Sequence, residues 1–387
     1  MPPQEGRLWA RVVRWPAPPG NGARGAYAVK LHGLTPAALA AVAGAAASLG
    51  VRTSSGPGEL VVEGPVEGFG RLAPQAAGRE AVEAARRAVE RFRAQPVLRA
   101  CGRTFDLARP LVVGILNATP DSFYDQGRYF DRAAAIARAY EMVAEGADLI
   151  EVGGETARPG PAVDPEEETR RVVPLIEALA RHLPVPVSVD TYKPEVARRA
   201  VGAGAVLIND ISGLADMRMA GIAAASGAAL VVMHIQGRPK VRQVSPRYRA
   251  VTDDVYAFLE ARTQAAEAAG VPRARLVVDP GFSFGKAPDH DLEILRRLGE
   301  FRSLGYPIYL ATSRKNYIRD LLGLPVEELL EGTAAAVAYG LAQGAHLVRT
   351  HDVRFTARLV RMMHAILHPG GEERRESGEE VEARGKA

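Results

Sequence analysis

Cysteine is almost missing from this 387-residue chain, with Cys101 the only one. No intrachain disulfide and no thiolate metal cluster can form from it. No apolar run reaches the roughly 18 residues a membrane span needs. The opening MPPQEGRLWARVVRWP lacks the apolar segment of a secretory signal. No HxH or HExxH pattern marks a zinc site. No glycine-rich dinucleotide fingerprint follows the first strand of the α/β pattern, and no basic stripe is interleaved with aromatics as nucleic-acid binding would require. A cytoplasmic enzyme that uses neither membrane nor nucleic acid is the expectation.

What remains is an ordinary globular composition, 47% apolar, long enough for two domains or for one barrel with an addition. The formal charge of +4 is modest and suits an anionic small molecule as well as a polyanion, so alone it decides neither. After a Pro/Gly-rich opening over 15–25, residues 26–32 alternate as a strand. Residues 35–49 read as a helix capped by Thr35-Pro36 and stopped by Gly50. A strand over 59–63 and a charged amphipathic helix over 79–94 complete a small α/β unit over 1–105. It carries no His/Cys cluster and no phosphate-cradling loop, and a docking, dimerising or stabilising part is expected of it.

From residue 106 the rhythm changes. Strands are expected to end at Asn117, Gly153, Asp190, Asn209-Asp210, His234, Asp279, Ser313 and His351. Helices are expected between them, among others over 132–145, 165–181, 194–201, 251–269, 292–304 and 353–367. Eight strands alternating with helices over 106–368 predict a (β/α)8 TIM barrel, with an open doubly wound sheet as the alternative. The charged tail over 369–387 has no apolar periodicity and is expected to be disordered.

The polar residues at the strand ends are Asn117, Glu155 with Arg158, Asp190, Asn209, His234, Asp279, Ser313 with Lys315, and Arg349 with His351. Singly each has a bland explanation, a helix cap for Asp190 or a turn for Asn209-Asp210. In a closed barrel they all face one mouth. Asp190, Asn209, Asp279 and Lys315 suit a flat heterocycle with several N–H and C=O edges. Asn117, Arg349 and His351, with Arg158, suit a diphosphate, His351 serving as an imidazolium donor and Asn117 as an oxygen ligand compatible with Mg2+. The segments over 118–127 and 155–161 read as mobile loops that close over a substrate.

Residues 106 to about 368 resemble the dihydropteroate synthase family. The segments that carry the resemblance are GILNATPDSF, EVGGETARPG, VSVDTYKPEVA, INDISG, VMHIQGRP, VDPGFSFGK, TSRKNYI and RTHDV, in the family's order. The resemblance implies condensation of 6-hydroxymethyl-7,8-dihydropterin diphosphate with p-aminobenzoate, with Mg2+ as cofactor and a homodimer as the common assembly. It implies that Asp190, Asn209, Met233, Asp279 and Lys315 hold the pterin, with Asp190, Asp279 and Lys315 catalytic. Asn117, Arg158, Arg349 and His351 would bind diphosphate, Asn117 also ligating the metal. Phe123, Ala157, Pro159, Phe284 and Asn316 would frame the p-aminobenzoate pocket, and Asp125 would belong to the closing first loop. Ala157 stands where the family has Thr, Ser283 where it has Gly, Ala311 where it has Gly, Asn316 where Ser is frequent, and Tyr192 where a small residue is common. Several of these departures border the expected p-aminobenzoate pocket or the closing loops. A corrinoid-dependent pterin methyltransferase on the same barrel, or a catalytically impaired pterin-binding homologue, is the alternative.

Overall fold

A computed structural model of the chain describes residues 8–14, 27–49, 51–73, 76–119, 132–241 and 245–369. The Pro/Gly-rich opening, Gly50, Phe123, Asp125 and nearly all of the charged tail lie outside the described residues.

The N-terminal module is a four-stranded antiparallel sheet in the order β1-β2-β4-β3, built from β1 (Trp9–Arg14), β2 (Tyr27–His32), β3 (Arg52–Gly56) and β4 (Glu59–Gly64). Helices α1 (Pro36–Ser48), α2 (Val66–Arg71) and α3 (Arg79–Arg93) accompany it. Thr35 caps α1 as its sequence predicts, its hydroxyl accepting the Ala38 N–H at 3.2 Å. Ala81, Val82, Ala85, Ala88, Val89 and Phe92 recur at helical spacing and form the buried stripe of α3.

Two further strands, β5 (Leu98–Ala100) and β6 (Arg103–Phe105), make a hairpin. Leu98 and Ala100 pack with Val113, Leu149, Leu207, Val231 and Leu347 inside the barrel. The hairpin therefore sits with the barrel, although it precedes the boundary that composition draws after residue 105.

Eight parallel strands form the barrel: β7 (Leu111–Asn117), β8 (Leu149–Gly153), β9 (Val187–Asp190), β10 (Leu207–Asp210), β11 (Ala229–Met233), β12 (Leu276–Asp279), β13 (Tyr309–Leu310) and β14 (Leu347–Thr350). A parallel bridge between Val278 and Ile308 closes the ring from β12 to β13. Helices α4 (Arg132–Glu145), α5 (Pro165–His182), α6 (Pro194–Gly202), α7 (Arg218–Ser226), α8 (Val251–Ala268), α9 (Pro288–Arg296), α10 (Asn316–Leu322), α11 (Leu330–Ala342) and α12 (Val353–Leu367) complete the TIM-barrel pattern.

Two expected elements differ. The strand read to Ser313 stops at Leu310, because Arg314 turns into the left-handed region (φ 53°) and its guanidinium is held by Asp352 and by the Val326 and Glu327 carbonyls. The helix read over 292–304 is α9 followed by a 3-10 segment over Leu298–Leu304. That segment meets the module. Arg11 of β1, fully buried, pairs with Glu300 at 2.6 Å and with Asp253 of α8 at 2.5 Å. Ser303 accepts the Val12 N–H at 2.9 Å, and Trp9 stacks between His32 and Tyr256. The module is thus seated on the barrel through charges that would be costly to bury unpaired. No helix among the described residues is long and apolar enough to cross a membrane.

Candidate active site

Register explains why residues distant in sequence meet. Asn117 lies opposite Gly153, Gly153 opposite Asp190, and Asp190 opposite Asn209, one row across β7 to β10. Side chains alternate along a strand, so these positions share the interior face near the carboxyl ends. Gly153 leaves its place in the row open: a Cβ there would lie 3.7 Å from both Asn117 Oδ1 and Asp190 Cβ.

The mouth opens into a cavity of about 720 Å³. Asn117, Ala157, Arg158, Pro159, Asp190, Asn209, Met233, Asp279, Phe284, Lys315, Asn316, Arg349 and His351 all line it. Every described residue given a binding or catalytic role is therefore in one place, with Phe123 and Asp125 outside the described residues. His234, also expected at the mouth, does not line the cavity: its buried ring packs edge-on against Phe258, with the Lys286 ammonium at Nδ1.

The internal pairing is finer than the strand ends suggest. Arg349, expected on the anion side, donates to Asp190 Oδ2 at 2.8 Å and to Glu151 Oε1 at 2.5 Å. Burial pushes Asp190 up to about 7, opposed by Arg349 and reinforced by Glu151. Burial also raises Asp279 to about 6, although the Gly281 N–H donates to it at 2.7 Å. Lys315 lies 4.5 Å from the centre of the Phe284 ring. Its ammonium is drawn down to about 8 by burial and by Arg349, against the pull of Asp279.

His351 departs from its expected charge. Burial, then Arg349, Arg314 and Lys315, depress it to about 3, so the imidazole is neutral in the ligand-free protein. Ser313 Oγ accepts its backbone N–H at 3.2 Å and lies 3.0 Å from Nδ1. A neutral ring still offers one N–H, and an incoming anion would favour the second proton.

The loop after β8, expected to be mobile, is tied at several points. Glu155 accepts the Val163 N–H at 2.5 Å and the Lys193 ammonium at 3.0 Å, and Lys193 also pairs with Glu168. Lys240 donates to the Thr156 carbonyl at 2.9 Å and accepts the Gly160 N–H at 3.0 Å. Ala157, Arg158 and Pro159 are exposed on this braced segment. Ser283, at the position of a family glycine, holds φ at 68° while its backbone N–H donates to Asp291 at 2.9 Å.

Sequence reasoning missed Glu151, Ser188, Tyr309 and Lys286. Glu151 carried a signal, an ionisable residue inside the apolar strand LIEVG, two positions before Gly153 and hence on its face. Lys286, half-buried with its ammonium 2.9 Å from His234 Nδ1 and 2.7 Å from the Gly281 carbonyl, closes the segment VDPGFSFGK, which was its only signal.

For a metal, Asn117 offers a hard amide oxygen at the cavity wall, and no hydrogen bond among the described residues engages its side chain. That suits Mg2+, which keeps waters and bridges phosphate oxygens. Among the described residues, the one cluster with metal-ligand geometry is His32, Glu59 and Asp253. Lys30 already lies 2.9 Å from Glu59 and 3.1 Å from Asp253, so that group is an ion-pair seam.

Comparison with known proteins agrees with the geometry. A family profile described as "Pterin binding enzyme" matches residues 113–351. The dihydropteroate synthase of Bacillus subtilis (strain 168) is 44% identical over 265 residues, covering 68% of this chain and 90% of that protein. A Mycobacterium leprae (strain TN) protein named "Inactive dihydropteroate synthase 2" is 44% identical over 272 residues, covering 69% and 94%. The Thermus thermophilus dihydropteroate synthase in complex with 4-aminobenzoate superimposes with a TM-score of 0.63 at 43% identity, covering 70% of this chain and 99% of that one. The N-terminal module lies outside the residues matched by the family profile. This chain belongs to the pterin-binding enzymes, in the dihydropteroate synthase family.

Proposed function

We propose that the chain condenses 6-hydroxymethyl-7,8-dihydropterin diphosphate with p-aminobenzoate to 7,8-dihydropteroate and diphosphate. The observation that carries this reading is the gathering of Asp190, Asn209, Asp279, Lys315 and Arg349 on one cavity. Asp190, Asn209, Asp279 and Lys315 hold the pterin, with Met233 packed beside it. Arg349, His351, Arg158 and Asn117 bind the diphosphate. Ala157, Pro159, Phe284 and Asn316, with Phe123, frame the arylamine, and Asp125 takes part in closure.

The chemistry follows from charge. As diphosphate departs from the pterin CH2 group, positive charge grows on that carbon and spreads into the ring. The carboxylates of Asp190 and Asp279 stabilise it, while the basic groups stabilise the leaving anion. The arylamine then attacks as a neutral nucleophile and loses its proton afterwards. Mg2+, held through Asn117, would add charge neutralisation on the diphosphate oxygens.

Diphosphate release from the pterin substrate, measured with and without p-aminobenzoate and Mg2+, tests the assignment. Binding of the pterin substrate without release on adding p-aminobenzoate would instead mark an impaired homologue. The inactive mycobacterial relative and the changes at Ala157 and Ser283 give that reading its substance. Cytoplasmic location and a homodimer complete the reading. Phe355, Met362 and Ile366, exposed along one stripe of α12, offer a face to a second copy. Sedimentation of the protein and of Met362→Lys would reveal it.

A further inference from the structure

Glu151 is fully buried beneath the cavity, and its carboxylate collects donors from four other strands. Ser188 Oγ (3.3 Å) and Tyr309 OH (2.8 Å) reach Oε2, while Asn209 Nδ2 (3.2 Å) and Arg349 Nε (2.5 Å) reach Oε1. A carboxylate only accepts, so the Asn209 amide must turn its NH2 toward it. Asn209 Oδ1 then lies on the other side, buried and without a hydrogen-bond partner. A buried acceptor left unpaired is costly, and a ligand N–H would relieve that cost.

We propose that Glu151 is a positioning residue that sets the polarity of Asn209, so that the site presents an acceptor and selects a heterocycle with an N–H at that edge. The proposal rests on the pterin reading above. It adds that the direction of one amide, enforced from below, decides which ring edge is accepted. A neutral residue at 151 could donate to Asn209 and let the amide rotate, turning the ligand-facing atom into a donor.

The test exchanges the two groups. Glu151→Gln and Asn209→Asp each lose the Nδ2-to-carboxylate pairing; the first frees the amide to rotate, and the second sets two acceptors face to face. Each single change is expected to raise KM for the pterin diphosphate about tenfold or more, with KM for p-aminobenzoate unchanged. The double variant Glu151→Gln/Asn209→Asp reverses donor and acceptor within the pair but again leaves an oxygen facing the ligand. It is expected to recover most of the lost affinity, which a merely structural glutamate would not allow. Calorimetric binding of the pterin diphosphate gives the same comparison without turnover. An inactive wild type that still binds would defeat the synthase reading alone. If Glu151→Gln binds normally, or the double variant is as weak as the two losses multiplied, the role assigned to Glu151 is wrong. Should Glu151→Gln fail to fold, Asn209→Asp against the double variant still decides.

Discussion

Arg349 and Asp190, separated by 159 positions, meet at 2.8 Å across the barrel mouth. The carboxylate to which the proposed mechanism assigns stabilisation of a developing cation is thus already paired with a guanidinium in the ligand-free protein. Replacing Asp190 or Asp279 by Asn should lower kcat/KM for diphosphate release by about a hundredfold or more. Circular dichroism should show the fold retained. Near-normal turnover in either variant would remove that residue from the chemistry.

Activity should follow a bell in pH. Asp279, raised to about 6, must lose its proton to act, and Lys315, lowered to about 8, must keep its own. The rise in kcat/KM should centre near 6 to 7, with Asp190 contributing at about 7, and the fall near 8. Stability runs the other way. The unfolded chain binds the Lys315 proton more readily between about 8 and 10.5, so this group favours the fold as pH rises through that window. Asp279 holds its proton longer when folded, so its stabilising contribution is lost as pH rises from 3.8 to about 6. Lys315→Arg should abolish the alkaline fall near 8; a limb that stays there belongs to another group.

Arg11 pairs with Asp253 and Glu300 in the seam between module and barrel. Lys30 and Arg297 also reach Asp253, which softens the loss of one cation. Arg11→Met should destabilise the protein by about 3 kcal/mol in urea titration, because it strands buried carboxylates. An unchanged midpoint would show the module to be merely adjacent.

Ser283 holds a left-handed backbone that glycine adopts without penalty. Its hydroxyl lies 3.5 Å from Asp291, too far to offset the strain. Ser283→Gly should raise stability by up to about 1 kcal/mol, since the backbone N–H to Asp291 survives. A lowered melting temperature would mean that the hydroxyl contributes more than its distance suggests.

Chelation should stop diphosphate release and added Mg2+ should restore it. Asn117→Ala should raise the Mg2+ concentration needed for half-maximal rate, while a pterin without diphosphate binds as before. Equal Mg2+ dependence in the variant would move the metal away from Asn117.

The sequence by itself determined the barrel, most of the strand ends, and the polar residues that bring most of the charge to the cavity. These depend on local patterns: short β-branched runs, polar residues where each run stops, and the alternation that assigns a side chain to one face. The expected strand ends at Asn117, Gly153, Asp190 and Asp279 coincide with those observed. Only the tertiary structure decided what the side chains do to one another. Glu151 became the hub of the site because Ser188, Asn209, Tyr309 and Arg349 arrive from separate strands. His351 stayed neutral because three cations and burial converge on it. The 3-10 segment beyond α9 formed where β1 presses its buried arginine. Ionisation and ion pairing depend on distance and desolvation among residues far apart in the chain, and no local pattern encodes either.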